Sequence, residues 1–304
     1  MAQFTLMLNL QLTLLIFMLT GMFSYRLKII TDQNISGMRQ LLIKILLPVM
    51  VFNSFRSVTM DVIRLSVQAL ILTTILYAVV YFIGKWIYRA FPNEQAKVLH
   101  YGTLVNTVGF TGLPLVNQVF GDVGSVIASV YLIPHRIYTW TLGLFILADQ
   151  QTESTRTIIK RLATNPSIIA VFLGLARGLL KLQLPAFLDK SITMMSTTVT
   201  PFAMIVIGAS IATVPWSKLI DFPVILYCLV RLLGIPFAVM GVLTLFHFDH
   251  TLIGVMTLMA AMPAGVLVSV LASEYHLDEQ FAARLTLVSI LASIFTTPIV
   301  MAFV

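Results

Sequence analysis

Charge, cysteine and acidic residues inside apolar segments are all scarce in this chain of 304 residues. Only 10% of the residues are charged, whereas a soluble domain has roughly 25%. The single cysteine, Cys228, excludes an internal disulfide. All twelve carboxylates fall in polar loops or at the ends of apolar segments, and no phosphate-binding glycine loop, metal-spaced Cys/His cluster or serine elbow occurs. These absences argue against a soluble enzyme.

Long apolar segments are what the sequence has instead. Hydrophobic residues make up 59% of the chain, and the mean hydropathy is +0.97. Runs of about 20 apolar residues match the hydrocarbon core of a bilayer and predict transmembrane helices. The sequence therefore predicts an all-α polytopic membrane protein with ten transmembrane helices, at residues 4–25, 38–56, 64–88, 96–120, 124–148, 166–184, 191–212, 221–246, 251–273 and 281–303.

The basic residues indicate orientation rather than nucleic-acid binding. The net charge is +7, but lysine and arginine alternate between rich and poor loops as the predicted spans succeed one another. The positive-inside rule places the richer loops in the cytoplasm, and with an even number of spans both termini are then extracytoplasmic. We therefore expect a multi-pass protein of the plasma (inner) membrane whose partners are the lipid bilayer and a small ligand, and no nucleic acid.

Prolines recur at matching positions in two halves of the chain. The separation of Pro48 and Pro114 in the first half is nearly that of Pro201 and Pro263 in the second. We interpret Pro48 and Pro201 as hinge positions in equivalent helices. Internal symmetry of this kind is typical of secondary transporters built from repeats.

Glycines support the same division, because Gly21 and Gly174 are separated by as many residues as Pro48 and Pro201. Five spans per half is an odd number, so the second copy must be inverted in the membrane relative to the first. The predicted domains are a first five-helix repeat at residues 1–148, a short cytoplasmic linker at 149–165 and a second, inverted five-helix repeat at 166–304.

Two apolar segments, the fourth and ninth predicted spans, contain clusters of helix-breaking residues. Residues 106–117 and residues 261–265 each combine proline with glycine. Unpaired backbone groups in hydrocarbon cost several kcal/mol each, so broken helices persist only where protein or a wet cavity covers them. We expect the two broken helices to cross near the midplane and to form the binding site. The residues predicted to shape this crossover are Gly109, Gly112, Pro114, Pro263 and Gly265.

Cations, but no acids, fall inside the predicted spans. Arg136 could bind a carboxylate through two parallel hydrogen bonds, and His135 could exchange a proton near neutral pH. Alternatively, both side chains bond carbonyls freed by Pro134 or face a wet vestibule. We favour a structural or gating role for Arg231, in which it bonds carbonyls freed at the kink of its own helix. An interior with cations and no acids suits an anionic substrate.

Amides and hydroxyls near the interruptions supply further candidates for substrate binding. Asn106 and Asn117 bracket the first interruption, and an asparagine amide can bond a carboxylate oxygen or hold an unwound helix open. Half-helix N-termini at the breaks also direct partial positive charge inward, which favours anions. The weaker candidates are the hydroxyls of Thr107, Ser210 and Ser269.

Residues 106–117 resemble the crossover helix of the auxin efflux carrier family, with asparagine-threonine followed by glycine-x-proline-leucine. The resemblance implies ten spans in two inverted repeats, of the kind shared with bile acid–sodium symporters, with Asn106, Pro114 and Pro263 at crossover positions. It also implies elevator-type movement, a scaffold bundle that can form a homodimer, and transport of organic anions. Further matches follow in the family's order at residues 31–39 with Leu47 and Pro48, 165–174, 201–208, 231–236, and 261–265 with 272–275.

This chain departs from the plant members of that family at two places. Residues 149–165 replace a long cytoplasmic loop, and Ala264 stands where a polar residue is often found. These departures argue against regulation by loop phosphorylation and against auxin as the substrate. We expect instead a carrier of small mono- or dicarboxylates such as malonate or malate.

Two alternatives to a simple anion carrier stay open. The first is a sodium-coupled organic anion symporter, whose ion would need oxygen ligands from the broken helices and nearby side chains. The second, of another class, is a membrane ligand sensor, which would need a larger cytoplasmic output surface than these loops provide. We expect no enzymatic activity, cofactor or metal, and the sequence leaves the coupling ion, H⁺ or Na⁺, undetermined.

Overall fold

The computed structural model describes residues 2–57, 59–147, 156, 160, 163–212, 220–265 and 267–304. Within these residues the regular structure is helical, apart from one isolated β-bridge. Most of the predicted linker and the predicted end of the first repeat lie outside the described residues. The α-helices are α1 (Ala2–Arg26), α2 (Asp32–Leu41), α3 (Leu47–Ser54), α4 (Met60–Ile87), α5 (Asn93–Leu104), α6 (Leu113–Trp140), α7 (Leu142–Leu147), α8 (Pro166–Leu179), α9 (Ala186–Ala212), α10 (Phe222–Cys228), α11 (Ile235–Leu245), α12 (His250–Ala260), α13 (Leu267–Glu274) and α14 (Glu279–Met301).

Six helical stretches among the described residues are long and apolar enough to cross a membrane, and α8 and α12 are shorter apolar helices. The predicted class, an all-α polytopic membrane protein, is therefore confirmed, whereas the number ten stays a prediction. The two counts differ partly because the stretch Val108–Leu147 joins two helices across a break at Gly121, between the fourth and fifth predicted spans, and because the interruptions shorten α5 and α12. The six stretches are Asp32–Ser54, Met60–Ala90, Val108–Leu147, Ala186–Ala212, Phe222–Leu245 and Glu279–Met301.

Three π-helical segments each lead into an α-helix whose second residue is proline. Proline lacks an N–H, and its ring clashes with the carbonyl four residues earlier. A wider π turn at that point keeps the chain helical while relieving the clash. The segments are Leu42–Leu46 before Pro48, Val108–Gly112 before Pro114, and Leu229–Gly234 before Pro236.

The two predicted hinge prolines differ in their surroundings. Pro48 follows a π segment, whereas Pro201 lies inside α9, which is α-helical throughout. Helical structure continues through both positions, so neither proline interrupts its helix. A bending role for Pro48 and Pro201 stays a prediction.

The backbones of α1 and α9 are in direct contact. A β-carbon added to Gly21 would lie 2.0 Å from the Ile205 carbonyl oxygen, and one added to Gly208 would lie 1.9 Å from that of Met18. Only glycine fits at either position. Small residues at helix interfaces allow close backbone approach, which is how membrane helices gain packing energy.

A second close helix pair is formed by α8 and the end of α3. A β-carbon added to Gly174 would lie 2.9 Å from the ring of Phe55, immediately after α3. Gly21 and Gly174 thus each mark a close contact between the two halves of the chain. The two pairs, α1 with α9 and α3 with α8, hold these halves together.

Gly208→Ala should destabilise the protein, because the added methyl group would overlap the Met18 carbonyl. Overpacking of this kind costs about 1–3 kcal/mol. Gly241→Ala in α11 is the matched control, since nothing lies within 4 Å of a β-carbon there. Thermal unfolding in detergent, followed by fluorescence-detected size exclusion, compares the two. Equal unfolding midpoints would contradict the close packing of α1 on α9.

Candidate functional site

Both predicted helix interruptions are present. α5 ends at Leu104, and helical structure resumes at Val108. α12 ends at Ala260, and α13 begins at Leu267. Pro263 enforces the second interruption, because its ring blocks helical continuation and it has no N–H to donate. The backbone groups freed at both interruptions need partners from elsewhere in the protein.

The two interruptions supply each other's missing backbone partners. The Thr107 N–H donates to the Pro263 carbonyl at 2.9 Å, and the Gly265 N–H donates to the Val105 carbonyl at 3.3 Å. Between these bonds the two segments run antiparallel. The pairing satisfies groups whose exposure to hydrocarbon would cost several kcal/mol each. The interruptions are therefore mutually stabilising.

The paired stretches, residues 105–107 and 261–265, are called the crossover below. The two stretches are in van der Waals contact, since a β-carbon added to Gly265 would lie 3.4 Å from the Asn106 carbonyl carbon. The Ala264 N–H donates to Ser289 Oγ of α14 at 3.2 Å. A third helix therefore anchors the crossover.

Asn106 lies within the crossover and is held by protein groups on both sides of its amide. Its Oδ1 accepts a hydrogen bond from the Tyr77 hydroxyl at 3.2 Å, and its Nδ2 donates to the Met259 carbonyl at 3.3 Å. The Tyr131 hydroxyl in turn donates to that of Tyr77 at 3.3 Å. A chain of polar contacts thus runs from α6 through α4 to Asn106. Sequence reasoning missed both tyrosines, which look like ordinary core aromatics within apolar spans.

A small cavity separates the crossover from the α1–α9 pair. Its polar lining includes Gln11 of α1, Thr111 of the π segment before α6, and Ser293 of α14. The cavity volume is about 20 Å³, which holds one water molecule but no dicarboxylate. In this conformation the cavity is therefore closed to an organic anion. Sequence reasoning missed these three residues, although Gln11 stands out as a polar residue inside an apolar span.

Thr107 and Ser269 lie beside the two interruptions. Thr107 Oγ1 accepts a hydrogen bond from Thr111 at 2.8 Å, which connects it to the cavity lining. Ser269 is half-buried in α13, the helix that follows the second interruption. Gly112 packs against Met262, whose Cγ would lie 3.1 Å from an added β-carbon.

His135 and Arg136 have unmet hydrogen-bonding capacity near the crossover. The buried His135 ring packs edge-on against Tyr77 with centroids 5.4 Å apart, and neither ring nitrogen has a partner among the described residues. A protonated imidazole would need an acceptor that these neighbours do not supply. Arg136 Nη2 lies 3.4 Å from the position of a β-carbon on Gly109, and Arg136 Nε also lacks a partner within the described residues. Arg136 thus brings a cation against the π segment that follows the crossover.

Arg231 is 2% exposed and bonds the second interruption. Its Nη1 donates to the Ala260 carbonyl at 2.8 Å. We expected Arg231 to bond a carbonyl at the kink of its own helix, and this prediction of the partner was wrong. The π segment already accommodates Pro236, and the carbonyl in need of a donor lies at the end of α12. A cation at the C-terminal end of a helix is also favoured by the helix dipole.

Asn117 and Ser210 are engaged away from the crossover. Asn117 Nδ2 donates to Ser125 Oγ at 2.8 Å, across a break within α6 at Gly121, whose φ is 62°. Ser210 Oγ accepts a hydrogen bond from Arg39 at 2.7 Å, which ties α2 to α9. The structure therefore groups Asn106, Thr107 and Arg136 around the crossover and gives these two side chains partners elsewhere.

The charge of the buried side chains has one sign. Among the described residues no aspartate or glutamate is buried, whereas Arg177 and Arg231 are, and Arg136 is half-buried. The described residues also contain no group of three His, Cys, Asp or Glu side chains that could hold a metal ion. The field at the crossover therefore favours an anion.

Paired helix interruptions, buried in a bundle of apolar helices and flanked by cations, are typical of membrane transporters. Comparison with known proteins agrees with this class. The model of the family described as "Membrane transport protein" matches residues 7–301. This chain belongs to that family, which is the auxin efflux carrier family, and the resemblance noted in the sequence is confirmed.

Individual relatives are distant but match along most of their length. The chain is 24% identical over 287 residues to "Uncharacterized transporter MJ1031" of Methanocaldococcus jannaschii, covering 90% of each chain. It is 23% identical over 302 residues to "Uncharacterized transporter YfdV" of Escherichia coli K12, covering 95% of this chain and 94% of the relative. It is 20% identical over 242 residues to "Putative malonate transporter" of Rhizobium meliloti, covering 74% and 72%.

Arg231→Met should lower the thermal stability of the purified protein. The Ala260 carbonyl would lose a charged donor, and a hydrogen bond to a charged group contributes about 1.5–3 kcal/mol. Arg231→Lys is the control, because it keeps a cation and a donor at this position and should lose less. If Arg231→Met unfolds at the wild-type temperature, the hydrogen bond from Arg231 to the Ala260 carbonyl does not stabilise the fold.

Proposed function

We propose that this protein is a secondary transporter of small organic anions, with mono- or dicarboxylates such as malonate or malate as substrates. The observation that carries the proposal is the pairing of two helix interruptions beside Arg136 and Arg231, with no buried carboxylate among the described residues. The unpartnered Nε–H of Arg136 can form a charge-assisted hydrogen bond with a carboxylate. The name of the Rhizobium meliloti relative supports malonate as the first substrate to examine. Auxin-like acids fit less well, since Ala264 offers no polar side chain.

The proposed architecture is ten transmembrane helices in two inverted five-helix repeats. Two helix contacts support it. Gly21 of α1 packs against α9, and Gly174 of α8 packs next to α3. If α1 is equivalent to α8, and α3 to α9, these are one contact that occurs twice. Their reciprocity is what two interlocked copies of the same unit would produce.

The proposed mechanism is alternating access of the elevator type. The α1–α9 pair is fastened backbone to backbone, which suits a fixed scaffold. The crossover is bonded to α14 through Ser289 and to α4 through Tyr77, so these elements would move with it. The cavity between the two groups is too small for a dicarboxylate, so this arrangement corresponds to a closed state. Opening would separate the crossover from the α1–α9 pair.

Arg136→Gln and Asn106→Ala should each reduce the uptake of radiolabelled malonate into proteoliposomes, by about tenfold or more. The first change removes the guanidinium charge and leaves only a neutral amide donor, and the second removes the amide at the crossover. A charged hydrogen bond of about 1.5–3 kcal/mol corresponds to a loss of this order. Initial uptake rates at several malonate concentrations measure the effect.

Arg64→Gln is the matched control for this experiment. Arg64 is exposed at the start of α4, and its substitution by glutamine removes the same charge as Arg136→Gln does. It should transport malonate at the wild-type rate. Wild-type rates in both Arg136→Gln and Asn106→Ala would reject the site, and no uptake of any carboxylate by the wild type would reject the function.

Sodium-coupled symport is the alternative within the same class. The carbonyls of Val105, Pro263 and Ala260 already accept hydrogen bonds, the last from Arg231, and a nearby guanidinium repels a cation. We therefore favour transport without sodium. Replacing all sodium by potassium should leave malonate uptake unchanged, and loss of uptake would establish the sodium-coupled alternative. Repeating the measurement across a pH gradient examines coupling to H⁺.

The location, the orientation and the oligomeric state form part of the same proposal. The protein is placed in the plasma (inner) membrane with both termini extracytoplasmic, and its scaffold bundle is proposed to form a homodimer. A membrane ligand sensor is the competing function of another class. Malonate binding without malonate flux would support the sensor.

A further inference from the structure

A second cluster of cations lies at one end of the bundle, away from the crossover. It lines an open cavity of about 640 Å³ beside the ends of α3 and α8. The cations are Arg56, Arg177 and Lys181, and the only carboxylate in the lining is Asp189. Neither the malonate site nor the proposed transport cycle uses these side chains.

Arg177 is the fixed element of this cavity. It is 8% exposed, its guanidinium stacks over the Phe52 ring at 5.3 Å, and its Nη2 donates to Asp189. Its Nη1 has no hydrogen-bond partner among the described residues. A buried guanidinium with an unmet donor is costly, because the desolvated N–H has lost water without gaining an acceptor. The cavity wall therefore holds a cation whose hydrogen bonding is incomplete.

The other two cations are placed to act with Arg177. Arg56 is exposed and pairs loosely with Asp122, with a distance of 3.4 Å between Nε and Oδ2. Lys181 is exposed in the turn after α8. The described lining residues carry three positive charges and one negative charge, and Asp122 beside Arg56 adds a second negative charge, which leaves an excess of one positive charge. Two guanidinium groups and an ammonium group suit an oxyanion with several acceptor oxygens.

Exposed apolar side chains neighbour this positive cavity in the sequence. In a bundle of apolar membrane helices such side chains face lipid, so cations beside them are placed to bond the phosphate of an anionic headgroup. Leu182 belongs both to this apolar surface and to the cavity lining. The exposed apolar side chains next to the cavity are Leu179, Leu180, Leu182 and Phe187.

We propose that this cavity, lined by Arg56, Arg177 and Lys181, binds a phosphate group, and that the phosphate is that of an anionic phospholipid. The positive-inside prediction places this end of the bundle at the extracytoplasmic face. A lipid held there would touch α3, α8 and the start of α9, all of them outside the crossover. The site is thus independent of the malonate site.

Native mass spectrometry of the full chain in detergent, titrated with phosphatidylglycerol or phosphatidylcholine, tests the proposal. Wild type should retain phosphatidylglycerol in preference to phosphatidylcholine. The double variant Arg56→Gln/Lys181→Gln should bind phosphatidylglycerol at least about tenfold more weakly. This variant leaves the contact between Arg177 and Asp189 intact, so we expect it to fold. Arg177→Gln, in contrast, would leave Asp189 without its partner.

Two further variants serve as controls. Lys190→Gln removes one exposed charge next to the cavity but outside its lining, and should bind as wild type does. Arg56→Lys/Lys181→Arg keeps both charges and should retain binding. A second arm replaces lipid with inorganic phosphate and follows the unfolding temperature in detergent.

The outcomes separate the sources of phosphate. Lipid preference that is lost only in the glutamine double variant supports a phospholipid. A phosphate-induced rise in unfolding temperature that is lost in that variant, without lipid preference, supports a soluble phosphate instead. If the glutamine double variant behaves as Lys190→Gln does with both probes, the proposal is overturned. Malonate uptake is not used in any of these measurements, so failure of the transport proposal would leave this one standing.

Discussion

The structure depends on two reciprocal backbone hydrogen bonds, from Thr107 to Pro263 and from Gly265 to Val105. A broken helix within an apolar bundle exposes donors and acceptors that lipid cannot satisfy. Here the backbone groups of each break bond those of the other. Either break alone would leave these groups unpaired in an apolar bundle. Because both breaks must lie side by side for the bonds to form, the helices that carry them are brought together as well. The arrangement therefore fixes the centre of the molecule.

The polar groups around the crossover follow from that constraint. Arg231 bonds the carbonyl at the end of α12, Ser289 accepts the Ala264 N–H, and Tyr77 donates to Asn106. With these contacts made, Nε of Arg136 and Nε of Arg231 are still without a partner among the described residues. No buried carboxylate neutralises either charge within those residues. Arg136 does not line the small cavity beside the α1–α9 pair, so the proposed anion would meet Arg136 only after the region opens.

The sequence was sufficient for local features of the fold. Proline and glycine located both helix interruptions, and hydropathy indicated the membrane-protein class. Asn117 shows the limit of such reasoning, because it seemed to flank the interruption but instead bridges a separate break at Gly121. Gly121 lies between the fourth and fifth predicted spans, so the break falls at the boundary that the sequence suggested. The sequence did not show that Asn117 would bond across that break.

Long-range partners could not be predicted, because they depend on how helices distant in sequence pack. The sequence suggested that Arg231 bonds carbonyls, but it did not identify Ala260 as the partner. Tyr77, Gln11 and Ser293 gain their significance only from the elements they face. The basic cavity at Arg177 likewise combines the end of α3 with the end of α8 and the turn after α8, and α3 is far from α8 in the chain.

The transport proposal requires that the crossover hold a small organic anion against Arg136. Cryo-electron microscopy of the full chain in lipid nanodiscs, with and without saturating malonate, would locate the anion. We expect malonate density beside Asn106 and Arg136, with the α1–α9 pair displaced from the crossover. Malonate density bound elsewhere, with the crossover region unchanged and no anion beside it, would reject the proposed site.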